Sequence, residues 1–322
     1  MDLTRSTILL TGGTGSFGTA FVQRVVAQWP DATLRVFSRD ELKQSEMAAR
    51  FDGIEQIRYF IGDVRDRARL VRAMQGCDLV VHAAAMKQVP ACEYNPFEAV
   101  QTNVIGAQNV VDAAIDAEVG RVVTLSTDKA VNPVNLYGAT KLCAEKIVVQ
   151  GNAYAAARQT RLACVRYGNV VGSRGSVVPL FRRQAASGRL TITDERMTRF
   201  WISLDQAVDF VLLAVDQLQG GEIFIPRVPS MRVVDLARAV APDVPYDVVG
   251  IRPGEKLHEV LLTADESRHA VAREDHFVVL PEVASWRRDV VYDGKPLEDG
   301  FVFASDVNER WLDADELQRL AS

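Results

Sequence analysis

Metal-binding spacing is missing from this sequence. The four cysteines, Cys77, Cys92, Cys143 and Cys164, show no CxxC spacing, and the four histidines, His82, His258, His269 and His276, form no ligand pattern with them. That argues against a zinc site or a disulfide framework and leaves free thiols in a reducing compartment. No apolar run approaches the ~20 residues needed to cross a bilayer. Residues Met1 to Arg5 lead straight into an apolar strand, without the basic, apolar and small-residue layout of a secretory signal. The expectation is a cytoplasmic protein with no membrane partner. An excess of basic charge is also missing: 37 Lys and Arg stand against 42 Asp and Glu, for a formal net charge of -5. Nucleic acid is therefore not the expected partner, because phosphate binding needs a concentrated basic surface. Repeats of fixed period and low-complexity tracts are lacking too.

What is present is an ordinary globular composition, 48% hydrophobic and 25% charged over 322 residues, enough for a full core. From residue 6 to about 166, the apolar runs STILLT, TLRVFS, IRYFIGD, DLVVHAAA, RVVTLS and RLACVRYG alternate with helical stretches. Strands separated by amphipathic helices predict an α/β fold, a Rossmann-type doubly wound parallel sheet. Beyond Gly168 the rhythm loosens at Gly172, Gly175, Pro179 and Gly188, with short elements such as EIFIP and YDVVGI and helices expected near Leu204, Val233 and Lys256. The expected division is a cofactor-binding domain at 1–168 and a smaller C-terminal substrate-binding lobe at 169–322. Segments around 198–225 are expected to return to the first domain.

The first strand ends in Thr11-Gly12-Gly13-Thr14-Gly15-Ser16-Phe17-Gly18, and a helical pattern follows at once. Glycines at 12, 15 and 18 suit a tight turn, close approach to a pyrophosphate and close helix-to-strand packing, and the helix start offers N–H groups to phosphate. The second strand ends in Ser38-Arg39-Asp40, with Lys43 a turn later. A small hydroxyl followed by a guanidinium suits a ribose 2′-phosphate and favours NADP. The plain alternative is that Arg39 and Lys43 are solvated charges and Asp40 is a helix cap. Asp63 and Val64 follow the third strand, where a carboxylate could meet the adenine edge, and Ala83, Ala84 and Ala85 follow the fourth, where small side chains let a cofactor lie against backbone.

The chemistry is concentrated in Ser126-Thr127-Asp128-Lys129 at the end of the fifth strand and in Tyr137-Gly138-Ala139-Thr140-Lys141. Tyr137 and Lys141 lie on one helix face, so an ammonium could lower a phenol whose free pKa is ~10 and make it a base for a sugar hydroxyl. Alcohol oxidation needs only Thr127, Tyr137 and Lys141. The added Asp128 and Lys129 suggest a second step, in which a C4 ketone acidifies the C5 hydrogen and an acid/base pair drives loss of the 6-hydroxyl. The alternative is that Asp128 caps a turn and Lys129 points to solvent.

At this point the chain resembles the inverting UDP-N-acetylglucosamine 4,6-dehydratases, within the extended short-chain dehydrogenase/reductases. The resemblance is carried by TGGTGSFG, SRDELKQSEM, AAAMKQVPACEYNP, LSTDKAVNPVNLYGATKLCAEK, RYGNVVGSRGSVVPLF, MTRFWISLDQAVDFV, GGEIFIPRVPSM and IRPGEKLHEVLL. It implies Thr127 and Tyr137 in C4 oxidation, Lys141 in cofactor positioning and Asp128 with Lys129 in the elimination. It further implies that Lys87, Asn169, Val178, Pro179, Arg199, Arg252 and Glu255 lie along the UDP-sugar site, with Lys87 also beside the cofactor. A homo-oligomer, dimer or hexamer, is implied as well. Retaining relatives carry Thr-Asp-Glu where this chain has Thr127-Asp128-Lys129, and a sister group of epimerases has methionine in place of Tyr137. The rival activities are a UDP-hexose 4-epimerase, which would leave Asp128 and Lys129 idle, and a non-catalytic NADPH-sensing regulator on the same scaffold.

Overall fold

The computed structural model describes residues 2–155, 159–172, 177–282 and 292–321. Gly175, and with it part of RYGNVVGSRGSVVPLF, lies outside them. The first six strands are β1 (Thr7–Thr11), β2 (Thr33–Ser38), β3 (Ile57–Ile61), β4 (Leu79–His82), β5 (Arg121–Thr127) and β6 (Arg161–Tyr167). They sit in the order β3-β2-β1-β4-β5-β6 within a ten-stranded sheet. Ile223–Pro226 extends it in parallel beside β6, and His276–Val279, Ala270–Ala272 and Lys295–Pro296 continue it antiparallel. In β1, β4 and β5 nearly every position is buried, as expected where helices cover both faces of a parallel sheet. Strand order reverses between β1 and β4. Right-handed crossovers therefore place the flanking helices on opposite faces and open a crevice at the C-terminal ends of those two strands.

A second apolar cluster, including Phe181, Leu190, Ile192, Trp201, Leu236 and Leu317, is built by the helices Val177–Ala186, Val233–Val240 and Ala314–Ala321. Two short strands, Leu190–Ile192 and Tyr246–Val248, pair in parallel against it. Thr198–Ile202 joins a separate three-stranded sheet with Asn169–Val170 and Ser230–Arg232, and the helix Leu204–Gln217 after it packs on the first helix, α1 (Ser16–Gln28).

The helix expected from Lys256 does not form. Residues 251–259 run as turn and coil, and Gly254 has φ +79, outside the helical range. Long-range bonds tie the segment down: Asn135 Nδ2 donates to Gly254 O at 2.7 Å, and Lys256 Nζ to Val131 O at 2.5 Å. Arg166 makes a second tie beneath them. Fully buried in β6, it donates to Glu145 at 2.7 and 3.0 Å, to Glu266 at 2.9 and 3.1 Å, and to Leu261 O at 2.9 Å. Such an enclosed ion network fixes one arrangement more than it adds net stability. It locks the helix Leu136–Ala155 to the segment that follows residue 259.

Candidate active site

The crevice is a cleft of about 860 Å³ that runs from the glycine turn after β1 to the end of β5. At one end Gly12, Thr14, Gly15, Ser16, Phe17 and Gly18 line it. Gly12 has φ +67, and a Cβ there would sit 2.8 Å from Ala84 N, so only glycine lets β1 and the loop after β4 meet. The start of α1 carries no side-chain cap and no acid in its first turn, leaving a positive helix end that fits a pyrophosphate. Ser38, Arg39 and Lys43 line the far edge, with Asp63, Val64, Ala83, Ala84, Ala85 and Lys87 beside them. Asp40 caps the helix Glu41–Arg50, accepting from Lys43 N at 3.1 Å while Lys43 Nζ lies 2.5 Å from its other oxygen. Arg39 is half exposed and 3.5 Å from Asp63. Burial would raise the Asp63 carboxyl, but hydrogen bonds from Arg65 and the charges of Arg65 and Arg39 outweigh it and hold it below the usual range.

The other end is made of side chains. Thr127, Lys129, Tyr137 and Lys141 line it together with Asn169, Glu255 and Trp201. Asn135 Oδ1 caps the helix bearing Tyr137, accepting from Gly138 N at 2.8 Å. A Cβ on Gly138 would lie 2.1 Å from Lys129 O, so this glycine sets how closely Tyr137 approaches the 128–130 turn. Asp128 is fully buried behind the wall. Its Oδ1 accepts from Thr127 Oγ1 at 2.7 Å and from Lys129 Nζ at 2.9 Å, while Lys129 Nζ also reaches Asn169 Oδ1 at 3.3 Å.

The electrostatics differ from the sequence argument in one respect. Burial pushes the Tyr137 phenol up to about 12, and the nearby cation that opposes burial is Lys129. Lys141 instead donates to Leu125 O at 2.6 Å, and burial lowers its own pKa. For Lys129, burial is outweighed by the carboxylates of Asp128 and Glu259, which hold the ammonium above the usual lysine range.

The remaining residues implied by resemblance stand off the cleft. Val178 is buried in the second cluster and Pro179 is half-buried next to it, while their neighbour Val177 lines the cleft. Arg199 is buried and donates to Thr198 O, Leu257 O and Lys256 O at 2.6, 3.1 and 3.0 Å. Arg252 is exposed, 3.7 Å from Glu255.

Two contributors escaped the sequence reading. Asn103 sits in a π-helical turn, Gln101–Ile105, and its amide holds Met86 N and Met86 O at 2.8 and 2.9 Å and Thr140 at 3.0 Å. It joins the loop carrying Lys87 to the Tyr137 helix. Glu259 is buried near Lys129, Arg199 and Lys256 at 3.6, 3.8 and 3.5 Å. The only hint of it was the HE pair closing RPGEKLHE.

A family model described as polysaccharide biosynthesis protein matches residues 8–281. A Campylobacter jejuni protein named UDP-N-acetylglucosamine 4,6-dehydratase (inverting) is 48% identical over 97% of this chain and 96% of its own. A UDP-glucose 4-epimerase of Rickettsia conorii is 42% identical over 84% and 82%. The solved structure of Pen from Bacillus thuringiensis superposes with a TM-score of 0.91 at 37% identity, covering 99% of this chain and 98% of that one. DesIV, a dTDP-glucose 4,6-dehydratase from Streptomyces venezuelae solved with NAD and TYD bound, gives 0.69 at 25% identity over 78% and 86%.

Proposed function

The chain belongs to the polysaccharide biosynthesis protein family, and from that premise we propose that it is a UDP-N-acetylglucosamine 4,6-dehydratase that inverts C5. The product is UDP-2-acetamido-2,6-dideoxy-β-L-arabino-hex-4-ulose. The observation that carries this reading is that Thr127, Lys129 and Tyr137 line one wall of a cleft, with Asp128 bonded to Thr127 and Lys129 from behind, and the other end of the cleft is a glycine turn suited to a dinucleotide.

The nicotinamide cofactor fits that turn, and NADP is the form we assign. The acid next to the end of β2, Asp40, is engaged as a helix cap, and Ser38 and Arg39, which line the cleft beside it, offer a hydroxyl and a guanidinium suited to a 2′-phosphate. A dinucleotide held at the turn from Gly12 to Gly18 would supply the hydride acceptor for C4 of the sugar and the hydride donor for C6. Tyr137 takes the C4 hydroxyl proton, aided by Thr127, and Lys141 holds the cofactor ribose. Asp128 and Lys129 carry proton transfer for loss of water across C5 and C6. Lys87, Asn169 and Glu255 face the UDP-sugar. Val178, Pro179, Arg199 and Arg252 support that wall from behind or from its rim. Residues 1–168 hold the cofactor, and 169–322 supply most of the sugar side.

We assign the protein to the cytoplasm; among the described residues no helix is long and apolar enough to cross a membrane. Tyr94, Phe97 and Tyr154 are more than four-fifths exposed, which favours assembly with further copies of this chain.

The test is incubation with UDP-N-acetylglucosamine and no added reductant. A product lighter by one water, with a new C6 methyl signal in its proton spectrum, is expected. An isomer of unchanged mass would make the protein an epimerase, the activity named for the Rickettsia relative.

A further inference from the structure

Glu259 is a buried carboxylate without a role in the chemistry just described. It is 2% exposed, directly precedes the strand Val260–Leu262, and is pinned by its own backbone: Glu259 N donates to Ser305 Oγ and Ser305 N to Glu259 O, at 2.9 and 2.8 Å. Its side chain therefore has little freedom. Oε1 lies 3.6 Å from Lys129 Nζ and 3.8 Å from Arg199 Nε, and Oε2 lies 3.5 Å from Lys256 Nζ. One oxygen of Glu259 and one of Asp128, Oε2 and Oδ2, are buried without a hydrogen bond. An acid left in this state inside a protein is costly unless its charge is used.

We infer that Glu259 is a positioning residue for the elimination, clamping the Lys129 ammonium together with Asp128 so that it stays charged and aimed into the cleft. The inference rests on the dehydratase reading for the step it serves, but not for the clamp itself. Geometry carries it: Asp128 reaches Lys129 from the same turn at 2.9 Å, and Glu259 reaches it from a segment anchored elsewhere in the fold. The other groups facing Lys129 are the cations Arg199 and Lys87, which oppose its charge, the phenol of Tyr137, and the neutral amide of Asn169. Glu259 offsets the two cations. Arg199 and Lys256 in turn hold Glu259. The same contacts make the direction of the titration plain. Losing a carboxylate near an ammonium lowers the pH at which the ammonium gives up its proton.

Competitive acetylation of the purified protein with acetic anhydride across a pH series, read by peptide mass spectrometry, measures where each lysine becomes a free amine. Lys129 should label with a midpoint above that of the exposed Lys146. Glu259→Gln should lower the Lys129 midpoint by about one pH unit and Glu259→Asp by less. A Lys129 midpoint at or below that of Lys146 in the unaltered protein overturns the clamp, and this arm decides even if the Gln variant fails to fold. An unmoved midpoint in a folded Gln variant overturns it too. In single turnover with UDP-N-acetylglucosamine, Glu259→Gln should slow 6-deoxy product formation by roughly tenfold or more while C4 oxidation, read as absorbance of reduced cofactor, changes far less. Equal slowing of both steps would make Glu259 merely structural. If the unaltered protein forms no 6-deoxy sugar, the dehydratase reading fails while the labelling result stands.

Discussion

The two ends of the cleft are built from different materials. The cofactor end is mostly backbone: a glycine at φ +67, an uncapped helix start and three alanines. The other end is mostly side-chain charge: Asp128, Lys141 and Glu259 are buried, Lys129 reaches the cleft, and a phenol pushed up to about 12 stands among them. A backbone site depends on local conformation and tolerates side-chain loss. A charged site depends on partners brought from distant segments, so single changes there should be severe and specific to one chemical step.

Variants can break or sharpen this contrast. The largest effect is expected from Tyr137→Phe, which removes the phenol proposed as the base and should cut turnover by roughly a thousandfold. Cofactor affinity by calorimetry should stay almost unchanged, and comparable loss of both would erase the distinction between the ends. Next is Lys129→Ala, which should lower 6-deoxy product formation by about a hundredfold while reduced cofactor still accumulates on adding substrate. Product at the normal rate would remove Lys129 from the elimination.

The third prediction concerns stability at the cofactor end. His82 is buried at the end of β4, paired with Thr11 Oγ1 at 2.7 Å, and burial, followed by the charge of Lys141, lowers its pKa to about 3. The unfolded chain takes up that proton near the ordinary value of ~6.5 while the folded one does not, so stability falls as pH drops from there toward 3. The loss should reach roughly 2 kcal/mol by pH ~5, and His82→Gln should flatten that part of a denaturation-against-pH curve. The same slope in the variant would assign the acid sensitivity elsewhere. The smallest effect is expected from Arg39→Ala, about a tenfold weaker affinity for NADP with NAD little changed. Equal losses for both would remove the 2′-phosphate assignment.

The same contrast explains what could be read from the sequence. The parallel sheet, the glycine turn and the Thr127–Lys141 set are local patterns, and a chain carries them within short stretches. Three features were not readable in that way. The helix expected from Lys256 gives way to coil, and the carbonyls of Lys256 and Leu257 accept from Arg199 and Thr198, more than fifty residues away, instead of from a following turn. Glu259 reaches Lys129 across 130 positions, and no local period marks a carboxylate whose partners lie so far off. The lowering of Tyr137 by Lys141, sound from helix spacing, yields to a rotamer in which Lys141 holds Leu125 O and Lys129 takes its place.

The central claim is that one site carries both hydride transfer and elimination, so hydrogen leaving C4 should return within the same sugar. Substrate deuterated at C4 tests this most directly, with a proton spectrum of the product as the readout. The account predicts deuterium at C6 of a 6-deoxy product and, for ordinary substrate in heavy water, solvent deuterium at C5. Deuterium retained at C4, or lost from the sugar altogether, would contradict it.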